Sequence, residues 1–574
     1  MTVTAPTRLT AADAPAPSTA VPLLSIRDLA VTYHGHSGDV PAVQGFSAEV
    51  FPGDAVAIVG ESGSGKSTVA LAVLGLLGAG SATVTGSVRL RGEELIGAAR
   101  RRLEDVRGRH IAMVFQDPLS SLNPYLTVGL QVAEACERHL GMTRRQSHQR
   151  ARELLDELGV ADAAHAFRRH PHQYSGGMRQ RSLLASGFAA DPALLIADEP
   201  TTALDVITQA RVLGRLRERL TARGMALLLI THNLGIVAGL CDRVIVMRGG
   251  TIVEQAAVRE LYRTPRHDYT RRLLAAVPRL DTPPPDDGRP ARDGTAAAPG
   301  PGEAGTRATA TATDAAIEVR EAIVEFPRPD GGRLRAVDGV SFSVRPGEVF
   351  GLVGQSGSGK STLVRAVAGL QALTSGEVRI GGTPVTAGDR HALRPLWRRV
   401  QMVFQDPLSS LNARFTVARI VAEPLVNFGI LPPREARRRV DGLLAAVSLD
   451  PALAARYPHE LSGGQCQRVS LARALAVEPE ILLCDEPLSA LDVSVQAEIL
   501  ALLRELRTRL ALTVLFVSHD LAVVRHLADR VAVMHEGRLV EVKAAASLYA
   551  EAEHPYTRAL LAAVPIPDPA ARRY

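Results

Sequence analysis

The sequence VGESGSGKST occupies residues 59–68, and it returns with a single change as VGQSGSGKST at residues 353–362. Each copy fits the pattern G-x-x-x-x-G-K-[ST], in which glycines let successive backbone N–H groups turn inward around phosphate oxygens. A short apolar run precedes each copy, at residues 55–59 and 349–353, and an apolar-periodic segment follows it. The order strand, glycine loop, helix therefore predicts two triphosphate-binding loops, each at the positive end of a helix.

Four side chains in the two loops have the chemistry that a Mg²⁺ nucleotide requires. An ammonium group has to reach the β- and γ-phosphates, and a hydroxyl has to reach the metal ion. We expect Lys66 and Lys360 to take the first role and Ser67 and Ser361 the second. The other loop residues expected to contact the nucleotide are Gly60, Ser62, Gly63, Ser64, Gly65 and Thr68 in the first copy and Gly354, Ser356, Gly357, Ser358, Gly359 and Thr362 in the second.

The two halves of the chain are a duplication of whole domains. Lys66 corresponds to Lys360 at an offset of 294 residues, and His232 corresponds to His519 at an offset of 287. A period of this length is far too long for a solenoid. We predict one domain over residues 21–280, a second over 316–574, a disordered tail at 1–20 and a flexible linker at 281–315. The linker is rich in Pro, Gly, Ala and Thr and nearly lacks the large apolar residues that a core needs.

The composition is that of an ordinary globular protein and argues against several other classes of protein. The chain has 574 residues, of which 46% are hydrophobic and 22% charged, as in an ordinary globular protein, and its net charge is only +6. It lacks the long Lys/Arg blocks typical of nucleic-acid binding. The four cysteines are isolated, which argues against a zinc site or a disulfide framework. We expect neither a signal peptide nor a membrane span.

Two further positions in each half have two open interpretations. Tyr33 and Phe326 precede the loops at matching places, where each ring could stack on adenine or simply pack in the core. Gln116 and Gln405 belong to the stretch MVFQDPLSSLN, which is identical at residues 113–123 and 402–412. They could lie in solvent, but identity over eleven residues favours contact with a metal ion or water beside the γ-phosphate.

Each half then contains an apolar strand that ends in two adjacent carboxylates, ALLIADEP at residues 193–200 and EILLCDEP at 480–487. Buried carboxylates are costly without a cation or a hydrogen-bond network. We expect Asp198 and Asp485 to bind Mg²⁺, and Glu199 and Glu486 to polarise the attacking water. The next strand in each half ends in a histidine, His232 or His519, predicted to hydrogen-bond the γ-phosphate.

A second anion-binding helix end occurs in each half. The residues expected there are Ser175, Gly176 and Gly177 in the first half and Ser462, Gly463, Gly464 and Gln465 in the second. A hydroxyl and free N–H groups at the positive end of a helix favour a phosphate, although such a serine could be only an N-cap. Two such ends for one nucleotide per domain are explained if the second end serves the neighbouring domain.

With these motifs in this order, each half resembles the ATPase subunit of an ABC transporter. The resemblance implies an α/β fold with two P-loop NTPase domains of the ABC type in tandem, each having a RecA-like core, an antiparallel β part and a helical subdomain. It also implies that two ATP molecules lie head to tail between the domains. One site would combine Lys66, Ser67, Gln116, Asp198, Glu199 and His232 with Ser462, Gly463 and Gly464, and the other Lys360, Ser361, Gln405, Asp485, Glu486 and His519 with Ser175, Gly176 and Gly177.

Finer features resemble the dipeptide, oligopeptide and nickel importer ATPases. These features are QDPLSSLN in both halves and the ends HDYTRRLLAAVP at residues 267–278 and HPYTRALLAAVP at 554–565. Each half resembles one of the two paired ATPases of such systems, so the chain reads as their fusion. Met178 replaces the usual glutamine, as in the first type of subunit. Both glutamates are present, so we predict hydrolysis at both sites.

The resemblance implies ATP and Mg²⁺ as cofactors and two separate permease subunits and an extracytoplasmic solute-binding protein as partners. It places the chain peripherally at the cytoplasmic face of the inner or plasma membrane, without nucleic acid. Some relatives carry an iron-sulfur cluster after the first domain, but the region after Pro278 has no nearby cysteine, and we predict no cluster. The alternative is a soluble tandem ABC ATPase acting on ribosomes or DNA, a class that typically has a charged helical arm or zinc insertions. The cargo is not encoded in the motifs.

Overall fold

The computed structural model describes residues 21–35, 38–78, 80–202, 204–280, 315–327, 332–489 and 491–571. They form two compact units. The first contains the described residues of Met1–Thr202, Arg215–Thr231 and Leu240–Thr264, and the second contains those of Ala203–Gly214, His232–Gly239 and Pro265–Tyr574. The tail predicted at 1–20 and nearly all of the linker predicted at 281–315 lie outside the described residues. The domain limits that we drew from the sequence stay predictions.

The elements of the first half alternate strands and helices after an antiparallel start. In chain order they are β1 (Leu24–Gly35), β2 (Gly38–Val50), β3 (Ala55–Val59), α1 (Lys66–Val73), β4 (Ala82–Leu90), β5 (Glu93–Glu94), α2 (Arg100–Val106), β6 (Ile111–Val114), α3 (Pro118–Ser121), α4 (Val128–Leu140), α5 (Arg144–Glu157), α6 (Ala163–Ala166), α7 (Gly176–Ala189), β7 (Leu194–Asp198), α8 (Val206–Arg223), β8 (Ala226–Ile230), α9 (Leu234–Leu240), β9 (Arg243–Arg248), β10 (Thr251–Ala257), α10 (Val258–Arg263) and α11 (Asp268–Ala275).

Two sheets make up the first unit. A four-stranded antiparallel sheet has the order β2-β1-β4-β5, and a six-stranded sheet has the order β10-β9-β3-β8-β7-β6. In the larger sheet only β10 is antiparallel to its neighbour. Every residue of β3, β7 and β8 is buried, as expected for parallel strands that are covered on both faces. Their carboxyl ends therefore open on one edge, where the glycine loop follows β3 and Asp198 ends β7.

The second half repeats this order. Its elements are β11 (Ile317–Pro327), β12 (Arg333–Val344), β13 (Val349–Val353), α12 (Lys360–Val367), β14 (Ser375–Ile380), β15 (Thr383–Pro384), α13 (Arg390–Arg399), β16 (Val400–Val403), α14 (Pro407–Ser410), α15 (Val417–Asn427), α16 (Pro433–Ala446), α17 (Gly463–Leu475), β17 (Ile481–Asp485), α18 (Val493–Leu510), β18 (Thr513–Ser518), α19 (Leu521–Arg525), β19 (Arg530–His535), β20 (Arg538–Ala544), α20 (Ala545–Ala550) and α21 (Pro555–Ala563).

The second unit has the same pair of sheets, in the orders β12-β11-β14-β15 and β16-β17-β18-β13-β19-β20. An apolar core fills the space between them and includes Phe350, Leu363 and Val378. The helices α15, α16 and α17 pack on one another as α4, α5 and α7 do in the first half. The predicted architecture, an α/β core with an antiparallel part and a helical part in each half, is confirmed.

The predicted strands at residues 55–59 and 349–353 coincide with β3 and β13. All four cysteines are buried, and none forms a disulfide within the described part of the chain. No helix in the described part of the chain combines the length and the apolar character needed to cross a membrane.

Candidate functional site

The glycine loop of each half joins a buried strand to a helix whose first residue is the lysine. Gly65 and Gly359 precede α1 and α12 with φ of 95° and 102°, a left-handed backbone that favours glycine. A Cβ atom on Gly359 would lie 2.0 Å from the carbonyl oxygen of Ala336, so a larger residue does not fit. The first N–H groups of both helices therefore face the loop, where an anion can accept from them.

Both loop lysines are buried and turned back onto the loop. Lys66 Nζ donates to the carbonyl oxygens of Gly60 and Glu61 at 2.9 and 2.7 Å. Lys360 Nζ makes the same pair of bonds within its own loop, each 2.8 Å long. Burial lowers the pKa of Lys360, although nearby carboxylates oppose this effect. Each ammonium group thus lies where a phosphate held by the loop would meet it.

The second loop also contains an orphaned polar atom. Ser358 is buried, and its Oγ has no hydrogen-bond partner among the residues that the structure describes. A buried hydroxyl without a partner costs free energy, so its presence indicates a polar ligand at this place. With the inward N–H groups and the buried ammonium of Lys360, the loop fits a triphosphate.

A hydroxyl and a carboxylate meet beside each loop. Ser361 Oγ donates to Asp485 Oδ1 at 2.8 Å, and Asp485 is buried at the end of β17. Ser67 makes the matching hydrogen bond to Asp198, which ends β7 and is also buried. Burial raises the pKa of both aspartates, and the adjacent glutamate adds to the rise, because the serine hydrogen bond and the loop lysine oppose it only in part. Hydroxyl and carboxylate oxygens are ligands that Mg²⁺ prefers, so each pair fits this ion.

In the second half, three polar side chains surround the other carboxylate of the Asp-Glu pair. Gln405 Nε2 donates to Glu486 Oε2 at 3.0 Å, and His519 Nδ1 lies 3.2 Å from the same oxygen. Lys360 Nζ lies 3.9 Å from the other oxygen, Oε1. Although burial favours a neutral carboxyl, the hydrogen bond and charge of His519 lower the pKa of Glu486. Glu486 is therefore ionised, as a group that orients a water or accepts its proton must be.

Both glutamates have a strained backbone. The φ angles are 47° at Glu199 and 45° at Glu486, in a left-handed region that costs other residues than glycine about 1 to 3 kcal/mol. Main-chain hydrogen bonds hold this conformation: Glu199 N–H donates to Ile230 O at 2.9 Å, and Glu486 N–H to Val517 O at 3.1 Å. Strain at the same position of both halves indicates a functional demand on the direction of the side chain.

In the first half a threonine hydroxyl donates to the glutamate. Thr202 Oγ1 donates to Glu199 Oε2 at 2.9 Å. Gln116 is exposed directly after β6, and His232, two residues beyond β8, belongs to the second compact unit. The structure thus brings Ser67 and Asp198 together as predicted, while the contact of Gln116 and His232 with the nucleotide stays a prediction.

The aromatic residues ahead of the loops are half-buried. Tyr33 packs on the core, and its Oη lies 3.4 Å from Oγ1 of Thr68 in the loop. Phe326 packs on the corresponding core of the second half. Core packing therefore accounts for the buried part of each ring. Tyr33 also lies beside Thr68 of the phosphate loop, and the adenine contact stays a prediction for both rings.

The two Ser-Gly-Gly segments cap helices. Ser175 Oγ accepts from Met178 N–H at 3.3 Å at the start of α7, and Ser462 Oγ accepts from Gln465 N–H at 3.3 Å at the start of α17. Gln465 Oε1 returns a bond by accepting from the N–H of Ser462 at 2.9 Å. Both serines are exposed, so each helix presents its N-terminal end to solvent. This geometry suits an anion, and the anion itself stays a prediction.

Sequence reasoning missed two residues near these sites. One is Thr202, described above, and the other is Tyr556, whose Oη accepts a hydrogen bond from the N–H of Gln355 in the second loop at 3.0 Å. Repetition was the available signal for Tyr556, because the pattern H-x-Y-T occurs in both halves, at residues 267–270 and 554–557.

Comparisons with known protein families agree with this geometry. Residues 43–202 and 337–489 match the family described as ABC transporter. Residues 253–302 and 540–574 match the C-terminal region of oligopeptide/dipeptide transporters. Each of the two families thus matches once in each half of the chain, in the same order.

Similar proteins cover nearly the whole chain. The oligopeptide transport ATP-binding protein OppD of Mycobacterium tuberculosis is 44% identical over 620 residues, covering 96% of this chain and 100% of that protein. The glutathione import ATP-binding protein GsiA of Escherichia coli K12 is 42% identical over 481 residues, covering 82% of this chain and 77% of that protein. A solved structure, the ATP-binding cassette MJ0796 with ADP and Pi, is 30% identical over 40% of this chain and 98% of its own, with a TM-score of 0.38.

Proposed function

Because this chain belongs to the ABC transporter family, with two ATPase domains and two oligopeptide/dipeptide C-terminal regions, we propose that it powers import of peptides or related small solutes. ATP binding and hydrolysis, and the tandem arrangement of two ABC ATPase domains, follow from the family itself. The cargo class is proposed from the relatives, which are named for oligopeptide transport and glutathione import. Dipeptides, longer peptides and nickel chelates all fit this class.

The observation that carries the proposal is the environment of Glu486. Its carboxylate accepts from Gln405, lies beside His519 and is held ionised next to the phosphate loop. In our proposal Glu486 orients the attacking water and accepts its proton, and His519 and Gln405 keep the carboxylate in place. Ser361 and Asp485 would hold Mg²⁺, which neutralises charge on the phosphate oxygens when it is bound. The first half would use Glu199, Ser67 and Asp198 in the same roles.

We also propose that the Ser-Gly-Gly helix ends complete the sites head to tail. Ser462, Gly463 and Gly464 would serve the nucleotide held by Lys66, and Ser175, Gly176 and Gly177 would serve the nucleotide held by Lys360. Support comes from the family motifs and from the exposed, capped starts of α7 and α17. ATP would draw the segments together, and hydrolysis would release them.

Exposed apolar side chains in and near residues 113–123 and 402–412, here called the glutamine loops, support docking of permease subunits. Leu119 is 61% exposed and Tyr125 87% exposed in the first half, and Leu408 is 51% exposed in the second. Large apolar residues in solvent at the same motif of both halves are typical of a protein interface. We propose that two separate permease subunits dock there, that a solute-binding protein delivers cargo from outside, and that the chain lies at the cytoplasmic face of the inner or plasma membrane.

The test is mass spectrometry of what co-purifies with the tagged chain from gently solubilised native membranes, with a cytosolic pulldown from the same cells as reference. We expect two multi-span permeases. The variants Tyr125→Glu and Leu408→Glu should reduce their recovery, because a charge opposes burial in an apolar interface. Leu334→Glu is the matched control, because Leu334 is 44% exposed on β12 and outside the glutamine loops.

Recovery of ribosomal or DNA-repair proteins without any permease would overturn the import proposal and favour the alternative class of ABC ATPase. Equal loss of permeases in Leu334→Glu would show that the two loop variants act through folding. The predicted lack of an iron-sulfur cluster stays a prediction, because residues 281–314 lie outside the described part of the chain.

A further inference from the structure

The helix α21 begins beside the second phosphate loop. Its residue Tyr556 accepts, through Oη, a hydrogen bond from the N–H of Gln355 at 3.0 Å. The ring of Tyr556 stacks on His535 at the end of β19, with ring centroids 3.9 Å apart and an angle of 19° between the planes. One side chain of the C-terminal region thus contacts both the loop and the strand that supports it.

The peptide unit that Tyr556 contacts is the one that holds the loop lysine. Gln355 contributes the N–H of this unit, and Gly354 contributes its carbonyl oxygen, which accepts from Lys360 Nζ at 2.8 Å. In a trans peptide the N–H and the C=O point in opposite directions. Tyr556 and Lys360 therefore bind opposite edges of the same planar peptide group. The orientation of this group decides where its carbonyl oxygen positions the ammonium group of Lys360.

The hairpin of β19 and β20 supports the loop from close by. The N–H of Gly537 donates to the carbonyl oxygen of Ser358 at 3.0 Å. A Cβ atom on Gly354 would lie 2.2 Å from the carbonyl oxygen of Met534. Packing this close leaves no free space between loop and hairpin, so a shift of one is passed to the other.

The C-terminal region is itself fixed to the hairpin. Glu541 on β20 accepts from the N–H groups of Glu553 and His554 at 2.9 and 3.1 Å. Lys543 Nζ donates to the carbonyl oxygen of Glu551 at 2.8 Å. Hydrogen bonds to charged groups are the stronger kind, so the start of α21 has a set position relative to the loop.

We propose that Tyr556 is a positioning residue for the second site: by holding the Gly354–Gln355 peptide it directs Lys360 to the phosphates, and the C-terminal region thereby sets the affinity for ATP. The proposal rests on the proposed function, since it requires ATP at this loop. Burial raises the pKa of Tyr556 to about 12, so the hydroxyl stays neutral at physiological pH. No other part of the mechanism involves this side chain.

The first half has the tyrosine, but another residue type occupies the sequence position of His535. Tyr269 corresponds to Tyr556, whereas Arg248 corresponds to His535, so the stacked imidazole is specific to the second half. Ala256 likewise corresponds to Lys543. The proposal therefore concerns the second site alone.

The test compares Tyr556→Phe with its parent, both carrying Lys66→Ala so that nucleotide binding reports the second site. Phenylalanine keeps the stack on His535 and removes only the acceptor oxygen. We expect the dissociation constant of a fluorescent ATP analogue with Mg²⁺ to rise about 2- to 10-fold, the range of one ordinary hydrogen bond, with kcat nearly unchanged. An unchanged dissociation constant would overturn the proposal.

Tyr549→Phe in the same background is the matched control. Its hydroxyl donates to the carbonyl oxygen of Leu521 on α19, and among the described residues it makes no hydrogen bond to the phosphate loop. We expect ATP binding to be unaffected in this variant even where its melting temperature falls. Equal weakening of ATP binding by both variants would show a general structural effect and would contradict a positioning role.

Hydrogen exchange in the ATP-free full-length protein tests the contact without the nucleotide. The amide of Gln355 should exchange several-fold faster in Tyr556→Phe, and amides of α18 should not change. If exchange responds but the Lys66→Ala parent binds no ATP, the proposed nucleotide site fails while the structural contact stands, and a role of Tyr556 in ATP affinity is then excluded. If exchange at Gln355 does not respond, the proposal is wrong even where the second site binds ATP.

Discussion

The two ATP-binding halves have nearly identical motifs, but the hydroxyl three residues after each glutamate is placed differently. The glutamine loop is identical over eleven residues, and the phosphate loops differ at one position of ten. Thr202 nevertheless donates to Glu199 in the first half. In the second half Gln405 donates to Glu486, and His519 lies beside the same oxygen.

Ser489 and Thr202, at corresponding positions, show that a serine in place of a threonine accompanies a different contact to the glutamate. Ser489 corresponds to Thr202, and each hydroxyl lies within hydrogen-bond distance of the main-chain oxygen of its glutamate, at 3.1 Å for Ser489 and 3.3 Å for Thr202. Thr202 Oγ1 also reaches the carboxylate of Glu199, whereas Ser489 Oγ makes no hydrogen bond to the carboxylate of Glu486 among the described residues. Near-identical motifs therefore do not guarantee equal sites, because the rate at each site depends on how its carboxylate is oriented.

The largest effect is expected when both glutamates are removed. The double variant Glu199→Gln/Glu486→Gln should lower steady-state ATP hydrolysis about 100-fold or more, since it lacks both proposed bases, while ATP binding persists. The two single variants then measure the share of each half. Glu505→Gln, an exposed residue paired with Arg509, is the control. Undiminished hydrolysis in the double variant would refute both assignments.

The next effect concerns the buried lysines. Lys360→Ala should weaken ATP binding at the second site about 10- to 100-fold, because charge-assisted hydrogen bonds to phosphate contribute about 1.5 to 3 kcal/mol. Lys66→Ala should do the same in the first half, and titration with a fluorescent ATP analogue measures both. Lys360→Arg should not restore binding, because a planar guanidinium does not fit the place of a compact ammonium. Full binding by the arginine variant would contradict the geometry described for the loop.

A smaller effect separates Thr202 from Ser489. Thr202→Val removes the hydroxyl that donates to Glu199 and should slow hydrolysis at the first site about 2- to 10-fold, as expected for one hydrogen bond. Ser489→Ala should leave hydrolysis at the second site nearly unchanged, since its hydroxyl bonds to the main chain. Single-turnover hydrolysis in Lys360→Ala and Lys66→Ala backgrounds isolates the two sites. If both substitutions slowed hydrolysis equally, the proposed difference between the Thr202 and Ser489 hydroxyls would be wrong.

The smallest effect is a pH dependence of stability from Glu541. Burial favours its neutral form, but the N–H groups of Glu553 and His554, with Lys543 Nζ at 3.4 Å, lower the pKa of Glu541. A lowered pKa means that the stabilisation is present above the unfolded-state value of about 4.3 and is lost as the pH falls through the folded-state value. Glu541→Gln should therefore reduce the loss of folding stability at acid pH, which we call the acid limb of the stability profile.

Chemical denaturation between pH 3 and pH 7 measures the effect, which should be about 1 kcal/mol. The control is Glu553→Gln, because the Glu553 side chain is 80% exposed and only its N–H donates to Glu541. An acid limb that Glu541→Gln leaves unchanged would show that this anchor of the C-terminal region contributes nothing measurable.

Local patterns in the sequence were enough to predict the fold and to name candidate residues for each site. The strands β3 and β13 begin and end at the predicted residues, because five consecutive apolar residues before a glycine loop have few other structures available. Ser361 and Asp485 were each predicted as Mg²⁺ ligands, and the structure places them within hydrogen-bond distance of each other, since a phosphate loop and the carboxyl end of a neighbouring parallel strand meet at the same edge of a sheet.

The left-handed backbone of Glu199 and Glu486 could not be predicted in this way. Glutamate has no preference for positive φ, and the conformation is held by bonds from the next strand in the sheet. The donor from Thr202 was missed for a similar reason, because a threonine three residues after the glutamate carries no sign of where its hydroxyl points.

The sequence by itself determined two phosphate loops, their order along the chain, the strand-loop-helix units around them and the membership in a family. These features follow from backbone geometry and from the spacing of residues close together in the sequence, so the local sequence is enough to predict them. Only the tertiary structure decided which donors surround each glutamate and that Tyr556 reaches the N–H of Gln355, 201 residues earlier. Such contacts depend on how separate elements pack, and packing is set by the whole core rather than by any local pattern.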